Sequence, residues 1–277
     1  MKKRILSCLM ALALCLTLLP ATAQAAEGES VTEPHTHSDW LASGYGTDGK
    51  TLVLRAGGDD NIYGDTLEKP NDGDWILPAG NYYLQDDITV EYAIAISGDV
   101  TICLNSKTIQ STGGDAVFRV TGSGKLTLTD CNGNAGKVKS TREGSGSGVK
   151  VENGGIFNMY GGTISGNTTT QQGGGVYVYG GNSKFNMYGG TITDNTATKG
   201  GGVYVSGGTF TMNGKTTSVS NNTATNGGGV YAASGKFNMN DGAISGNEAT
   251  NTETANTTYG GGVYVSGGTF TMNGKTT

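Results

Sequence analysis

The sequence predicts an all-β chain wound into a right-handed parallel β-helix, a solenoid of roughly seven to eight coils. Three observations predict it. The pairs Gly148-Val149, Gly175-Val176, Gly202-Val203 and Gly229-Val230 recur at one constant interval of ~27 residues, the period of a solenoid coil. Each period holds three short apolar pieces with the two-residue alternation of a strand that buries one face. Glycine supplies 49 of the 277 residues and proline only four, which rules out collagen and leaves glycine for corners. A β-sandwich is the alternative fold, and near-identical short repeats argue against it.

Taken in order, the chain opens on an export signal, predicted over residues 1–25. Lys2, Lys3 and Arg4 precede an apolar run from Ile5 to Leu19, and Pro20 ends it. The small residues from Ala21 to Ala26 offer cleavage after Ala25, or alternatively after Ala23. The run is shorter than the roughly 20 residues a membrane-spanning helix needs, so no membrane insertion is expected after cleavage. Removing three of the 18 basic residues leaves 15 against 23 acidic ones, a net charge near −8. A surface of that sign repels phosphate backbones, so nucleic acid is not an expected partner.

Residues 26–75 read as an N-terminal segment, partly disordered or capping, in which Thr51 to Arg55 hints at a strand. It carries His35-x-His37 beside Asp39, half of a metal site at most, and the acidic stretch Asp59 to Asp65. The His-x-His is expected to be mobile and solvated near the new N-terminus, and the acidic stretch lacks the ligand spacing of a calcium loop. No metal and no cofactor are expected.

Residues 76–277 read as the β-helix. Asn81 to Leu84 begins it, followed by the alternating Val100, Ile102 and Leu104, then Val117 with Val120, Leu126 with Leu128, and Val138. From Val149 the pattern sharpens into three pieces per coil. The first is Val-x-Val, as at Val176 and Val178, or Val203 and Val205. The second is Phe-x-Met, giving a predicted core ladder of Phe157, Phe185, Phe210, Phe237 and Phe270. The third is a single aliphatic: Ile164, Ile192, Val219 and Ile244. Asn167, Asn195, Asn222 and Asn247 follow three residues later and are expected to line a corner, bonding one another and the backbone. Gly-Gly and Asn-Gly steps are expected to supply positive φ at the turns.

Residues Gly260 to Thr277 repeat Gly200 to Thr217 letter for letter, which points to recent internal duplication. The last coil stops in mid-repeat, and the expectation is of a fragment of a longer protein. Six extra residues between Asn247 and Gly260 predict a protruding loop, a common place for a solenoid's binding function.

Alternation turns the central residue of Val-Tyr-Val outward. Tyr177, Tyr204, Tyr231 and Tyr264 are therefore the candidate binding residues, an exposed ladder that would stack on sugar rings or an apolar partner. The structural alternative is that they stack on each other and shield the sheet. No catalytic residues are nominated. From Val149 onward the only acids are Glu152, Asp194, Asp241, Glu248 and Glu253; no histidine follows His37 and no arginine follows Arg142. A chance convergence of Asp130, Glu143 and Glu152 is the sole carboxylate alternative. Cys103 and Cys131, about one coil apart, both read as outward-facing. Their strands are offset by about two residues, which puts the α-carbons near or beyond the roughly 7 Å limit for a disulfide and leaves pairing open.

Two stretches carry a family resemblance. Gly98 to Ile109 (GDVTICLNSKTI) with Leu126 to Cys131 (LTLTDC) resembles the entry coils of pectin-lyase-like β-helix proteins on Gram-positive gut bacteria. Thr163 to Asn167 (TISGN) followed by Gly173 to Val178 (GGGVYV) is similar to the chlamydial polymorphic membrane protein repeat, with an aliphatic in place of that family's Phe and Gly-Gly-Gly-Val in place of Gly-Gly-Ala-Ile. The resemblance implies a surface location and an adhesion-like role. The expected function is a secreted or surface-displayed, non-catalytic scaffold that binds a polysaccharide or a host surface protein. The alternatives are a carbohydrate-active enzyme, lyase or glycosidase, which would need a carboxylate cluster, and a purely structural spacer.

Overall fold

The structure, a computed structural model, describes residues 50–51, 73–84, 86–142, 144–250 and 258–273. The predicted signal at 1–25 and most of the segment at 26–75 lie outside the described residues. Within those described there is no α-helix, and every strand pair in the named sheets is parallel. The chain is a parallel β-solenoid.

Its three main faces are continuous sheets that run the length of the solenoid. The valine sheet has eight strands, from Trp75–Leu77 to Val263–Val265. The phenylalanine sheet has nine, from Lys50–Thr51 to Thr269–Met272. The isoleucine sheet has seven, from Ile88–Val90 to Ala243–Ser245. The first coil begins at Trp75, earlier than the predicted start at Asn81. Lys50–Thr51 form a two-residue strand that adds to the phenylalanine sheet beside Tyr82 and Tyr83, and residues 52–55 of the stretch read as a strand lie outside the described residues.

Register is like on like through the repeats. Val149, Val176, Val203, Val230 and Val263 are successive partners. So are Phe157, Phe185, Phe210, Phe237 and Phe270. The five rings stack face to face at 4.7–4.8 Å, with interplanar angles of 7–10°. That distance is the inter-strand spacing of a sheet, so the backbone ladder itself sets the ring stack. Phe157 to Phe237 are fully buried, and each contributes roughly 1.5–3 kcal/mol of apolar burial. Before Val149 the same valine column holds Ile94 and Phe118. The step from Ile94 to Phe118 is shorter than the later repeat, and the step from Phe118 to Val149 is longer. These unequal excursions hide Phe118 from a fixed-period reading.

A fourth, short sheet fills one corner: Thr196–Lys199, Thr223–Asn226 and Glu248–Ala249. The sequence reading placed only an asparagine there. Ala197 and Ala224, paired across it, are its buried residues.

The glycines before each valine act by two mechanisms, only one of which was anticipated. The first of each triplet has positive φ, +64° at Gly200. The third has no such φ; it is glycine for lack of room. A Cβ at Gly202 would lie 2.6 Å from the Gly229 carbonyl oxygen and 2.9 Å from Val219 Cγ1.

Candidate functional site

The outer side of the valine sheet concentrates the chain's chemistry. One column along it reads Ile76, Ala95, Arg119, Lys150, Tyr177, Tyr204, Tyr231 and Tyr264, each the partner of the next. Alternation puts all eight opposite the core residues of their strands. The column changes character midway, from charged to aromatic.

In its charged half, Arg119 is the hub. Its guanidinium lies 2.8 Å from Asp74, 2.6 Å from Asp115 and 3.9 Å from Glu152. Lys150 extends a second cation, its ammonium, to Asp115 at 3.1 Å and to Glu152 at 3.4 Å. Burial is the largest influence on the Asp115 carboxyl and alone would raise its pKa. The Arg119 hydrogen bond and the Lys150 charge outweigh it and hold the carboxyl below its ordinary value. At Asp74 burial wins over the Arg119 charge, and neighbouring Asp115 and Glu152 push the same way, so its pKa is raised. Sequence reading missed this network because its members come from several coils and span Asp74 to Glu152.

In its aromatic half, the four candidate tyrosines pack on one another, with centroids 5.4, 5.2 and 5.0 Å apart and rings tilted or edge-on. They are less exposed than expected. Tyr177, Tyr204 and Tyr264 are half-buried, and Tyr231 is only 7% exposed, with its hydroxyl donating to Ser266 at 3.1 Å and the Lys199 ammonium 5.8 Å from its ring centroid. Ring upon ring excludes water, and this desolvation, followed by the neighbouring phenols, raises the pKa of Tyr177 and Tyr204. The freely exposed rings are two that were not nominated: Tyr179 at 49% and Tyr259 at 45%. Tyr179 sits 6.0 Å from Tyr177, and Tyr259 stacks on Tyr264 at 5.1 Å. The alternation that turns Tyr177 outward applies equally to Tyr179, so the signal was present in the sequence. Tyr259 lies where the predicted insertion rejoins the solenoid; residues 251–257 of that insertion lie outside the described residues.

The asparagines form a closed line inside the corner. Asn167, Asn195 and Asn222 are fully buried. Each donates its Nδ2 to the next Oδ1, at 2.7, 2.9 and 2.9 Å, and each backbone amide donates to the same oxygen. The second Nδ2 hydrogen bonds the preceding coil, Asn195 to Ile164 O and Asn222 to Ile192 O, both at 3.0 Å. Every amide is satisfied within the solenoid, and none projects toward a ligand.

The remaining candidates are dispersed. Asp130 ties a turn together: Oδ1 accepts from Ser106 N at 2.9 Å and Oδ2 from Gly136 N at 2.7 Å. It does not meet Glu152, which belongs to the Arg119 network, and Glu143 lies outside the described residues, as do His35, His37, Asp39 and Asp59 to Asp65. Cys103 is fully buried rather than outward and open, with its sulfur 3.3 Å from that of Cys131. Among the described residues, no group of three His, Cys, Asp or Glu side chains is placed to hold a metal ion. A separate concavity of about 410 Å³ lies outside the isoleucine sheet, lined by residues including Asp87, Gln110, Lys137, Lys139 and Asp194.

Compared with known proteins, the chain matches no family model, no curated protein and no solved structure.

Proposed function

We propose that the chain is an exported, non-catalytic β-helix scaffold whose tyrosine-bearing face binds an extended polysaccharide. The observation that carries this is the self-packed tyrosine ladder on the valine sheet, flanked by the exposed rings of Tyr179 beside Tyr177 and Tyr259 against Tyr264. Two exposed rings set apart along one face suit an extended polymer that repeats a ring along its length, because the apolar face of a sugar stacks on an aromatic while its hydroxyls stay solvated. The adjoining Arg119 and Lys150 cluster adds hydrogen-bonding charges at one end of the ladder. The ladder tyrosines serve as a stiff backing that holds the outer rings in place. Export through residues 1–25 and the resemblance of Gly98 to Ile109 to pectin-lyase-like coils, and of the later repeats to the chlamydial ones, support display at a cell surface.

The carboxylates of the fold bear on the rival enzymatic reading. Asp74, Asp115 and Glu152 do cluster, yet each is engaged by Arg119 or Lys150, which makes them an ion network first. The test is incubation with plant, mucin and bacterial polysaccharides, scoring retention and chain cleavage together. Retention without cleavage, lost in the Tyr179→Ala/Tyr259→Ala variant, supports the proposal. Cleavage of any polymer overturns it and directs attention to those three carboxylates.

A further inference from the structure

We propose that Cys103 and Cys131 form an inter-coil disulfide by exchange with an external disulfide oxidant, which enters at Cys131. Cys103 ends the strand Asp99–Cys103, and Cys131 lies two residues past the strand Lys125–Thr129 of the next coil. Cys103 is in register with Thr129, so an extended continuation would carry Cys131 away from it. The turns bring the two together instead. Asn105 and Ser106 both take positive φ, 51° and 61°, and reverse the first coil's chain beneath the second. Three hydrogen bonds then fasten one turn to the other: Ser106 N to Asp130 Oδ1 at 2.9 Å, Asn132 Nδ2 to Asn105 Oδ1 at 2.8 Å, and Ser106 Oγ to Asn132 O at 3.3 Å. The result is the 3.3 Å separation of the sulfurs, little more than an ångström from the bonded distance of about 2.05 Å.

Access sets the order of events. Cys103 is fully buried while Cys131 is partly exposed. Burial, reinforced by the Cys131 hydrogen bond, pushes the Cys103 thiol up to about 12, so it is a poor first nucleophile. The Cys131 sulfur, as thiolate, attacks one sulfur of the oxidant disulfide; the oxidant's S–S bond breaks, a mixed disulfide forms and one oxidant thiol leaves with the proton. The Cys103 sulfur then attacks Cys131, displacing the second oxidant thiol and passing its proton to it. Two protein thiols lose two electrons, and one disulfide becomes two thiols. The bond closes one whole coil and fixes the N-terminal part of the solenoid independently of what the tyrosine face binds.

The full chain, reduced and then exposed to oxidised glutathione, is alkylated and digested with trypsin. The expected product joins the fragment ending at Lys107 to the fragment Leu126–Lys137. The oxidised protein should also unfold at higher denaturant than the reduced one, a difference absent in Cys131→Ser. Persistent glutathione on Cys131, or alkylation of both cysteines, overturns the proposal.

Discussion

The solenoid has two halves that solve the same problem differently. From Val149 onward several columns hold one residue type over successive coils: phenylalanine from Phe157, valine from Val149, asparagine from Asn167 and tyrosine from Tyr177. Before it the columns are mixed. Ile94 and Phe118 share the valine column, Val100 and Leu126 share the phenylalanine column, and the outward positions carry ion pairs rather than rings. Both halves bury a continuous core. The repeated half is stabilised by identical groups at sheet spacing, so any loss is felt by two equivalent neighbours. The mixed half relies on irregular packing, coils of unequal length and charge compensation, which leave it more dependent on salt and pH.

The largest expected effect tests the repeated half. Phe210→Ala opens a hole between Phe185 and Phe237 and should cost about 3–5 kcal/mol in chemical denaturation. A cost below about 1 kcal/mol would mean the ring stack is not the core. Next comes the corner. Asn222→Ala deprives the Asn195 amide and backbone N–H of their acceptor and leaves the Asn247 carbonyl short of donors, an expected loss of about 2–4 kcal/mol. Asn222→Asp keeps the acceptor yet cannot donate, and should be destabilised as well; a neutral result for both would remove the ladder from the account.

The mixed half should respond to charge. Arg119→Ala leaves three carboxylates undercompensated and should cost about 1–2 kcal/mol at low salt. High salt should shrink that difference, since screening acts on partly exposed pairs. The repeated half should respond to alkali. Tyr160, Tyr177 and Tyr204 have raised pKa values, so the folded state keeps protons that the unfolded state has released. Their contribution is intact below pH 10 and is lost as pH rises through the folded values. Denaturation midpoints should fall above about pH 10 and less steeply in Tyr177→Phe/Tyr204→Phe. The smallest stability effect belongs to Tyr179→Ala and Tyr259→Ala, within about 0.5 kcal/mol, because exposed side chains carry little of the fold.

The same contrast governs what could be read from the sequence. A strict period translates directly into vertical neighbours, which is why the phenylalanine and valine columns were legible by counting. The site was legible only in part. Tyr177, Tyr204, Tyr231 and Tyr264 do share one outward column, while their mutual packing, which hides them and leaves Tyr179 and Tyr259 exposed, depends on ring tilt that alternation does not encode. The Arg119 network was not legible at all, since coils of unequal length break the count that would bring Asp115 and Glu152 together. Cys103 was placed outward by alternation, and its burial comes from the turn at Asn105 and Ser106 folding back on it.

The most direct test is quantitative retention on whichever polysaccharide the panel selects, compared between two double variants. Tyr179→Ala/Tyr259→Ala removes the exposed rings of the valine-sheet face, and Lys137→Ala/Lys139→Ala alters the other concavity. The first is expected to lose at least tenfold in affinity while the second is unchanged. Loss in the lysine variant alone would contradict it and move the binding surface to the isoleucine sheet.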